Sequence, residues 1–413
     1  MKKISILFFL SSLVFCFLFL TPSFSQQVLP KPGEVIDKSN YMKYKDLFSE
    51  FLLGGFENGW GGFTKPFSIT VSEPKPRPLP KSFLNASEKN RKKFSIDLAG
   101  SIKGGFEYFF LPFPEVIGKD YDPNDKDFIS KVMWNYEYRY RGDDLTSYQI
   151  TYTQRKGEEI MSSVDLEREM TLYGRIYDNP KPVWKNPSTI AWAMLFSLET
   201  PPSVKNMVFL QYRYLDPLHD DDLYVYVPSL RRVIRSEAGQ RSTPNQGSIQ
   251  DPDDYYGLNI KTSTFTYKFV REQKVLAVTD SRQSTRAIVG KSLKELPYPR
   301  DNWELRDVYV VDAFPKDPKY PNKVKRIYID KENQTAVYYN ETFDRAGKPW
   351  KLFAAQFYQA PLADGDYNTT FKGFMLFDLQ FGMAGYFFGD WTANGQKQNF
   401  VDFTPSSLRS YGR

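Results

Sequence analysis

The chain has 413 residues, of which 17% are aromatic and 25% charged, with a formal net charge of +6. Removing residues 1–25, which carry Lys2 and Lys3, lowers this charge to +4, and so small a basic excess argues against a nucleic-acid partner. It contains one cysteine and one histidine, so a multi-histidine metal site is excluded and a Ser-His-Asp triad would require His219. We therefore predict no metal and no cofactor, while chemistry by carboxylates alone remains possible.

The N-terminus has the pattern of a secretory signal. Two lysines precede the apolar residues 4–20, and small residues stand at Ser23 and Ser25. A retained anchor is the alternative, whereas lipidation is rejected because bulky Phe15 precedes Cys16 within the apolar run. We predict cleavage after Ser25, a periplasmic location, and a single domain over residues 26–413.

Helical patterns come first along the mature chain. Apolar residues recur at helical spacing over 41–53, and Gly54-Gly55 is expected to end this helix before a loop over residues 56–80. A second short helix is predicted over 123–132. A third is predicted near residues 188–196.

Beyond residue 132 strands are expected to dominate, because apolar and polar residues alternate with period two. The alternation is found in Trp134-Asn-Tyr136-Glu-Tyr138, in residues 148–153 and in residues 264–269. Residues 344–348 resemble a hairpin turn between strands 336–343 and 350–358. These patterns predict a fold of the α+β class, mostly β, built on a large antiparallel sheet.

Two short motifs suggest ligand binding but are better explained as loops. Gly290-Lys291-Ser292 resembles the end of a phosphate-binding loop, but the required earlier glycine is replaced by Thr285. Asp251, Asp253 and Asp254 carry oxygen ligands suited to calcium, but lack the glycine and glutamate spacing of an EF-hand. A solvated turn is the favoured interpretation of the three aspartates.

A charged cluster surrounds the predicted strand at residues 223–227. Its members are Asp221, Asp222, Arg231, Arg232 and Arg235. Arginine forks suit pairing with carboxylates or with lipid phosphates. We favour ion pairs of Asp221 or Asp222 with these arginines over contact with a headgroup.

Several motifs in this order resemble an uncharacterised family of bacterial periplasmic proteins described as outer-membrane lipoprotein-sorting-like. The motifs are Pro32-Gly-Glu-Val-Ile36, Tyr224-Val-Tyr-Val-Pro-Ser-Leu-Arg-Arg-Val-Ile-Arg235, Asp254-Tyr-Tyr-Gly257, Glu304-Leu-Arg-Asp-Val-Tyr-Val-Val311, Arg326-Ile-Tyr-Ile-Asp330 and Phe343-Asp-Arg-Ala-Gly-Lys-Pro-Trp350. Tyr224 departs from the tryptophan that the family often has there.

The resemblance implies a fold related to the lipoprotein carriers LolA and LolB. That fold is a curved antiparallel sheet, an incomplete barrel, with helices plugging its concave side. The family is also associated with resistance-nodulation-division exporters and outer-membrane β-barrel proteins, and it provides no catalytic residues.

The resulting hypothesis is a carrier for a lipid or another hydrophobic molecule that works with an exporter. We expect an elongated, mostly apolar pocket of several hundred Å³ between the sheet and the helices, with the helix at 41–53 as its plug. Candidate lining residues are Tyr44, Phe48, Trp134, Tyr136, Tyr138, Tyr224 and Tyr226. The alternatives are an adaptor without ligand and a glycan hydrolase that uses inward-facing carboxylates.

Overall fold

The computed structural model describes residues 27–105, 109–156, 158–236, 242, 249–284 and 301–411. The predicted signal and the loop at Gly290-Lys291-Ser292 therefore lie outside the described residues. Within the described residues, no helix is long and apolar enough to span a membrane.

Strands predominate and most of them are long. The strands are β1 (Val35–Ile36), β2 (Ile69–Val71), β3 (Ser95–Ile96), β4 (Ile102–Lys103), β5 (Asp144–Arg155), β6 (Glu158–Thr171), β7 (Ile190–Thr200), β8 (Val208–Tyr214), β9 (Asp222–Val227), β10 (Arg232–Ser236), β11 (Phe265–Ala277), β12 (Asn302–Pro315), β13 (Asn322–Asp330), β14 (Val337–Asp344), β15 (Pro349–Pro361), β16 (Tyr367–Asp378) and β17 (Met383–Ala393). The α-helices are α1 (Leu53–Gly62), α2 (Lys81–Ser87), α3 (Phe128–Glu137) and α4 (Leu408–Tyr411). Short 3₁₀ helices include Tyr41–Leu47, Glu50–Leu52 and Pro252–Gly257.

Two antiparallel meanders make up one large sheet. Strands β5 to β10 pair in chain order, as do β11 to β17, and β17 then pairs with β5 to join the two sets. The short strands β1 and β2 are added beside β12, while β3 and β4 form a separate hairpin. Among the described strands, β10 and β11 are the two edges of the long series, so the sheet is open.

The length of α3 shows that this sheet is strongly curved. Phe128 at the start of α3 packs edge-to-face on Tyr309 of β12, and Glu137 at its end lies 3.8 Å from Arg213 of β8. These strands are nine positions apart in the sheet order, which would separate them by about 43 Å in a flat sheet. A ten-residue helix is only about 15 Å long, so the sheet wraps around α3. We call the face toward α3 the inner face.

A second element also lies on the inner face. Strands β10 and β11 follow one another in the chain but lie at opposite edges, so their connection has to cross the sheet. Its residues 249–264, the crossing segment, contact β6 through Tyr256 and β13 through Asp254. The open barrel is therefore plugged by α3 and by the crossing segment.

The outer face is covered by the two ends of the described chain. Trp60 of α1 stacks on Phe377 of β16 at 3.6 Å between ring centroids, and Ser49 donates a hydrogen bond to Glu341 of β14. Near the C-terminus, Phe403 and Leu408 pack on the outer side of β7 to β9. The predicted plug at residues 41–53 is thus on the wrong face: it covers the outer surface.

The prediction of the first helix is also wrong in its end point. Residues 41–52 form two 3₁₀ turns, and α1 begins where the helix was expected to end. Gly55 lies inside α1 because the helix packs closely there: a Cβ atom at this position would approach Phe67 and Trp60 to less than 3 Å. The glycine therefore serves packing and does not terminate the helix.

The alternation at residues 134–138 indicated a strand, but these residues belong to α3 and its C-terminal end. The polar residues of this stretch are buried as well as the aromatic ones. Asn135 accepts a hydrogen bond from the backbone N–H of Phe113, and Glu137 accepts one from that of Thr262. Because α3 is enclosed on nearly all sides, its polar residues do not mark a solvent-exposed face.

The region near residues 188–196 is also not helical, since most of it forms β7, which is buried on both faces. Three other predictions are confirmed. Residues 148–153 lie in β5, residues 264–269 lie almost entirely in β11, and the hairpin joins β14 to β15 with Gly347 in the turn at φ +79°.

Candidate functional site

Three adjoining cavities lie on the inner face where it is not filled by α3. Their volumes are about 30, 60 and 70 Å³, and we number them first to third in that order. Tyr256 lines both the first and the second, and Tyr255 lines both the second and the third. The crossing segment therefore divides the inner space beside β5, β6 and β7.

Aromatic side chains form much of the wall of the second cavity. Its lining residues are Gln149, Thr151, Asp165, Glu167, Met194, Phe196, Gln250, Tyr255, Tyr256, Phe371, Phe387 and Trp391. The third cavity continues along apolar side chains to Met161 and Val204, which are partly exposed. An apolar path thus leads from the surface toward Tyr256.

Tyr256 has a left-handed backbone conformation, which residues other than glycine seldom adopt. Its φ is +56° and ψ is +23°, and Gly257 follows with φ +89°. The left-handed conformation costs a residue with a side chain roughly 1–2 kcal/mol. Strain of this kind often accompanies functional positions, and here it directs the phenol into the inner space.

A row of carboxylates on β6 faces the phenol. Asp165, Glu167 and Glu169 alternate along the strand, so all three point to the inner face. The Tyr256 hydroxyl is hydrogen-bonded to both Glu167 and Glu169. The inner wall of β6 is therefore acidic in a largely apolar surrounding.

The three carboxylates differ in the cations and hydrogen-bond donors that lie beside them. Glu169 pairs with Arg141 at 2.7 Å, and the Arg141 guanidinium also lies 4.2 Å from the centre of the Tyr256 ring. Glu167 accepts a hydrogen bond from Gln149. Burial, and next the charge of Glu169, raise the pKa of Glu167 well above its usual range.

Of the three carboxylates, Asp165 has the fewest hydrogen-bond partners. Burial raises its pKa to about 7, although a hydrogen bond from Ser163 Oγ at 3.3 Å acts in the opposite direction. Its Oδ1 atom is buried and has no hydrogen-bond partner among the described residues. A buried acceptor without a partner is costly, so this oxygen is a candidate contact for a ligand.

The aspartates at 251–254 anchor the crossing segment and do not form a solvated turn. Asp254 lies 2.9 Å from the Lys325 ammonium and 3.8 Å from that of Lys351, which is also 3.5 Å from Asp251. Burial alone would raise the pKa of Asp254, but the two lysines lower it. The described residues contain no group of three potential metal ligands, and the two lysines beside Asp251 and Asp254 indicate a structural role.

The charged cluster at β9 and β10 is divided between two places. Asp222 pairs with Arg235 across the hairpin, as expected. Asp221 instead pairs with Arg213 of β8 at 2.9 Å, in a buried network that holds the crossing segment through the Asn259 carbonyl. Arg231 and Arg232 lie exposed at the turn of the hairpin.

The predicted lining residues are distributed over both faces of the sheet. Trp134, Tyr136 and Tyr138 lie on the inner side, but they fill it as part of α3. Tyr224 and Tyr226 lie on the outer face with Tyr212 and Phe403, and Tyr44 and Phe48 pack on the outer side near β12. None of these seven residues lines the three inner cavities.

The hollow of the expected volume has a different position and character. It measures about 860 Å³, lies on the outer face between residues 42–53 and strands β11 to β14, and is mostly polar. Phe48 lines it beside Arg271, Arg326 and Glu341. The expectation of one large apolar inner pocket is therefore wrong for this conformation, because α3 and the crossing segment occupy that space.

The sequence contains a signal for the β6 row that the initial interpretation missed. In Ser163-Val-Asp165-Leu-Glu167-Arg-Glu169 the acidic residues alternate with Leu166 and Arg168. Alternation normally places the polar set toward solvent, whereas here Leu166 is exposed and the carboxylates are buried. This reversal of the usual burial can be recognised only when the position of the crossing segment opposite β6 is known.

A family model described as a protein of unknown function (DUF1329) matches residues 35–409. Similar crystal structures include a putative outer membrane lipoprotein-sorting protein domain from Vibrio parahaemolyticus, with 15% identity, TM-score 0.48, and coverage of 68% of this chain and 97% of that one. A DUF1329 family protein from Desulfovibrio piger has 14% identity, TM-score 0.46, and coverage of 65% and 92%. A LolA superfamily protein from Nitrosomonas europaea has 12% identity, TM-score 0.39, and coverage of 66% and 96%. No curated protein matches the sequence.

Proposed function

We propose that this chain, which belongs to the DUF1329 family, is a periplasmic binding protein that carries a hydrophobic molecule in the cell envelope. The observation that supports this proposal is the apolar path from Met161 and Val204 to Tyr256, beneath an inner face of aromatic rings. The proposed mechanism is binding and release without chemistry. Partnership with an exporter or an outer-membrane β-barrel protein is part of the same proposal and rests on the family resemblance.

Binding requires the crossing segment to move. About 10–15 Å³ of space for the centre of a water-sized sphere holds one water molecule, so the cavities, with about 30, 60 and 70 Å³ of such space, hold only a few small groups. The Tyr255-Tyr256 pair separates them, and the strained conformation of Tyr256 favours its displacement. Once displaced, these two rings leave one continuous cleft against β5 to β7, which is apolar apart from the β6 carboxylates and a few other polar side chains.

Each methylene buried in such a cleft contributes about 0.8 kcal/mol. An acyl or alkyl chain of ordinary length can therefore offset the free energy needed to move two tyrosines. Phe371, Phe387 and Trp391 offer ring faces along the deeper wall. The cleft thus suits a linear hydrophobic chain better than a bulky ring system.

A neutral fluorescent probe, N-phenyl-1-naphthylamine, provides the test. We expect it to bind the mature protein and to be displaced by lipids from the envelope. Thr151 lines the second and third cavities, so Thr151→Trp should fill them and weaken binding about tenfold while the melting temperature changes little. Thr146→Trp, on the outer side of the same strand, is the matched control and should leave binding unchanged.

Absence of probe binding to the unaltered protein would contradict the carrier proposal and favour an adaptor without ligand. The carboxylate row is also compatible with the alternative of a glycan hydrolase, because Glu167 and Glu169 both face inward. Their shared contact with the Tyr256 hydroxyl and the small adjoining cavities leave no room for a sugar ring in this conformation. Release of reducing sugar from envelope glycans, abolished by Glu167→Gln, would favour the enzyme.

A further inference from the structure

The inner cavities are lined by an acidic group whose hydrogen-bonding capacity is not filled by the described residues. Asp165 is only 6% exposed and lines both the second and the third cavity. Its Oδ2 atom accepts a hydrogen bond from Ser163, and its Oδ1 atom has no partner among the described residues. The unused atom is an acceptor, so the missing partner must be a hydrogen-bond donor.

The charge balance around Asp165 indicates what kind of donor fits. Arg141 compensates Glu169, but within the described residues neither Asp165 nor Glu167 has a cationic nitrogen within 4.0 Å. Glu199 on the neighbouring strand adds further negative charge. Two buried carboxylates without a counter-ion are unfavourable, and a cationic group would remove that cost.

The other walls of these cavities also suit a cation. Tyr255, Tyr256 and Phe196 present aromatic rings to the second cavity, and such rings attract ammonium groups through their faces. Its volume of about 60 Å³ fits a small head such as a primary ammonium. Beyond it, Leu198, Val204 and Phe209 of the third cavity offer an apolar track toward the surface.

We infer that the hydrophobic molecule bound here is an amphiphile with a primary ammonium head, which Asp165 accepts while the alkyl chain lies along the third cavity. This inference rests on the proposed function and specifies its ligand class. Arg139 and Arg141 line only the first cavity, on the other side of Tyr256. An anionic head is therefore repelled by the β6 row and has no cation to contact in the second or third cavity.

The experiment compares dodecylamine, dodecanol and dodecanoic acid, which share one chain length, by titration calorimetry on the mature protein at pH 8. We expect dodecylamine to bind at least tenfold more tightly than the other two, because a hydrogen bond to a charged group contributes more than a neutral one. Asp165→Asn should reduce dodecylamine binding about tenfold and leave dodecanol binding unchanged. Glu159→Gln, which removes an exposed carboxylate from the same strand, should change neither.

The pH dependence provides a second measurement that needs no variant. Asp165 is faced by Glu167 on its own strand, Glu199 on β7, and Tyr255 and Tyr256 of the crossing segment. Since alkylammonium groups stay protonated up to about pH 10, acidification should titrate the protein side. Because burial raises the pKa of Asp165 to about 7, dodecylamine affinity should fall roughly fivefold between pH 8 and pH 6 and change little below pH 6, whereas dodecanol affinity should stay constant.

The outcomes separate the two proposals. Equal binding of all three probes, or a preference for the acid, would overturn the ammonium assignment while the carrier function stands; water would then be the partner of Asp165. Failure of all three to bind would overturn both proposals. Loss of dodecylamine preference in Glu159→Gln as well as Asp165→Asn would assign the effect to overall charge and also overturn the inference.

Discussion

Two groups of buried carboxylates face the same interior, and they differ in whether lysine side chains lie beside them. At the crossing segment, Asp251 and Asp254 are matched by Lys325 and Lys351. On β6, Asp165 and Glu167 have no such partners among the described residues. A balanced buried cluster fixes the position of a segment, whereas an unbalanced one retains the capacity to accept an external group. The difference separates the structural part of the plug from the part that can exchange contacts.

The largest effect is expected from breaking the balanced cluster. Lys325→Met leaves Asp254 buried with only the more distant Lys351, and removal of one partner of a buried pair costs about 3–5 kcal/mol. Urea unfolding at pH 7 measures this loss. Lys323→Met, at an exposed position of the same strand, should change stability by less than about 0.5 kcal/mol. Adding Asp254→Asn to Lys325→Met should recover part of the loss, and no recovery would contradict the pairing.

On β6, in contrast, removing a buried charge is expected to increase stability. Burial raises the folded-state pKa of Asp165 from 3.8 to about 7, so the folded protein binds this proton more tightly than the unfolded chain. Stability from this group is therefore present below about pH 4 and lost as the pH rises toward 7.

Asp165→Asn removes that dependence. We expect the free energy of unfolding at pH 8 to increase by an amount on the order of 2 kcal/mol, with little change at pH 4. Chemical unfolding of both proteins across this pH range measures the effect. A variant that is less stable than the parent at pH 8 would mean that Asp165 has a compensating partner, and the contrast between the two clusters would disappear.

A smaller effect should separate backbone strain from packing in the crossing segment. Gly257 has φ +89°, and a Cβ atom there would lie 3.2 Å from the Val337 carbonyl oxygen. Gly365 has a similar φ of +83° with no atom within 4 Å of the same position. Both alanine variants should lose roughly 1–2 kcal/mol from the left-handed backbone, and Gly257→Ala should lose more because of the contact. Thermal unfolding measures both losses of stability. Equal losses would show that the crossing segment shifts readily to relieve the contact with Val337.

The smallest effect is expected at the ion pair that the sequence predicted. Arg235 is exposed, and surface pairs contribute little because water and salt screen them. Arg235→Ala should leave the unfolding midpoint within experimental error. A clear destabilisation would place this pair with the buried clusters and not with the solvated surface.

Alternation and turn chemistry in β5, β11 and the β14–β15 hairpin were sufficient to predict a large antiparallel sheet, whereas its open form and its inner plug were implied by the family resemblance. The sequence could not predict that β17 pairs with β5, because that contact joins strands from opposite ends of the chain. It predicted a helix over 123–132 but assigned the second half of α3, from Trp134, to a strand, since enclosure on nearly all sides removes the polar stripe by which a helix is recognised.

The candidate site was harder to predict than the fold. The aromatic content indicated ring-lined space, but it did not distinguish rings that fill a core, such as Trp134, from rings that border a cavity, such as Trp391. Asp165 and Glu167 resemble the solvent-exposed residues of an ordinary strand. Only the position of the crossing segment opposite them shows that they are buried.

The joining of the two meanders through β5 and β17 has a consequence for how the molecule is assembled. Tyr152 of β5 is paired with Tyr386 of β17, so the first meander keeps an unpaired edge until nearly the whole chain has been made. Contacts so distant in sequence form slowly, and an unpaired edge invites pairing with other chains. We therefore expect shortening of the chain before residue 383 to yield aggregates in place of a smaller folded protein.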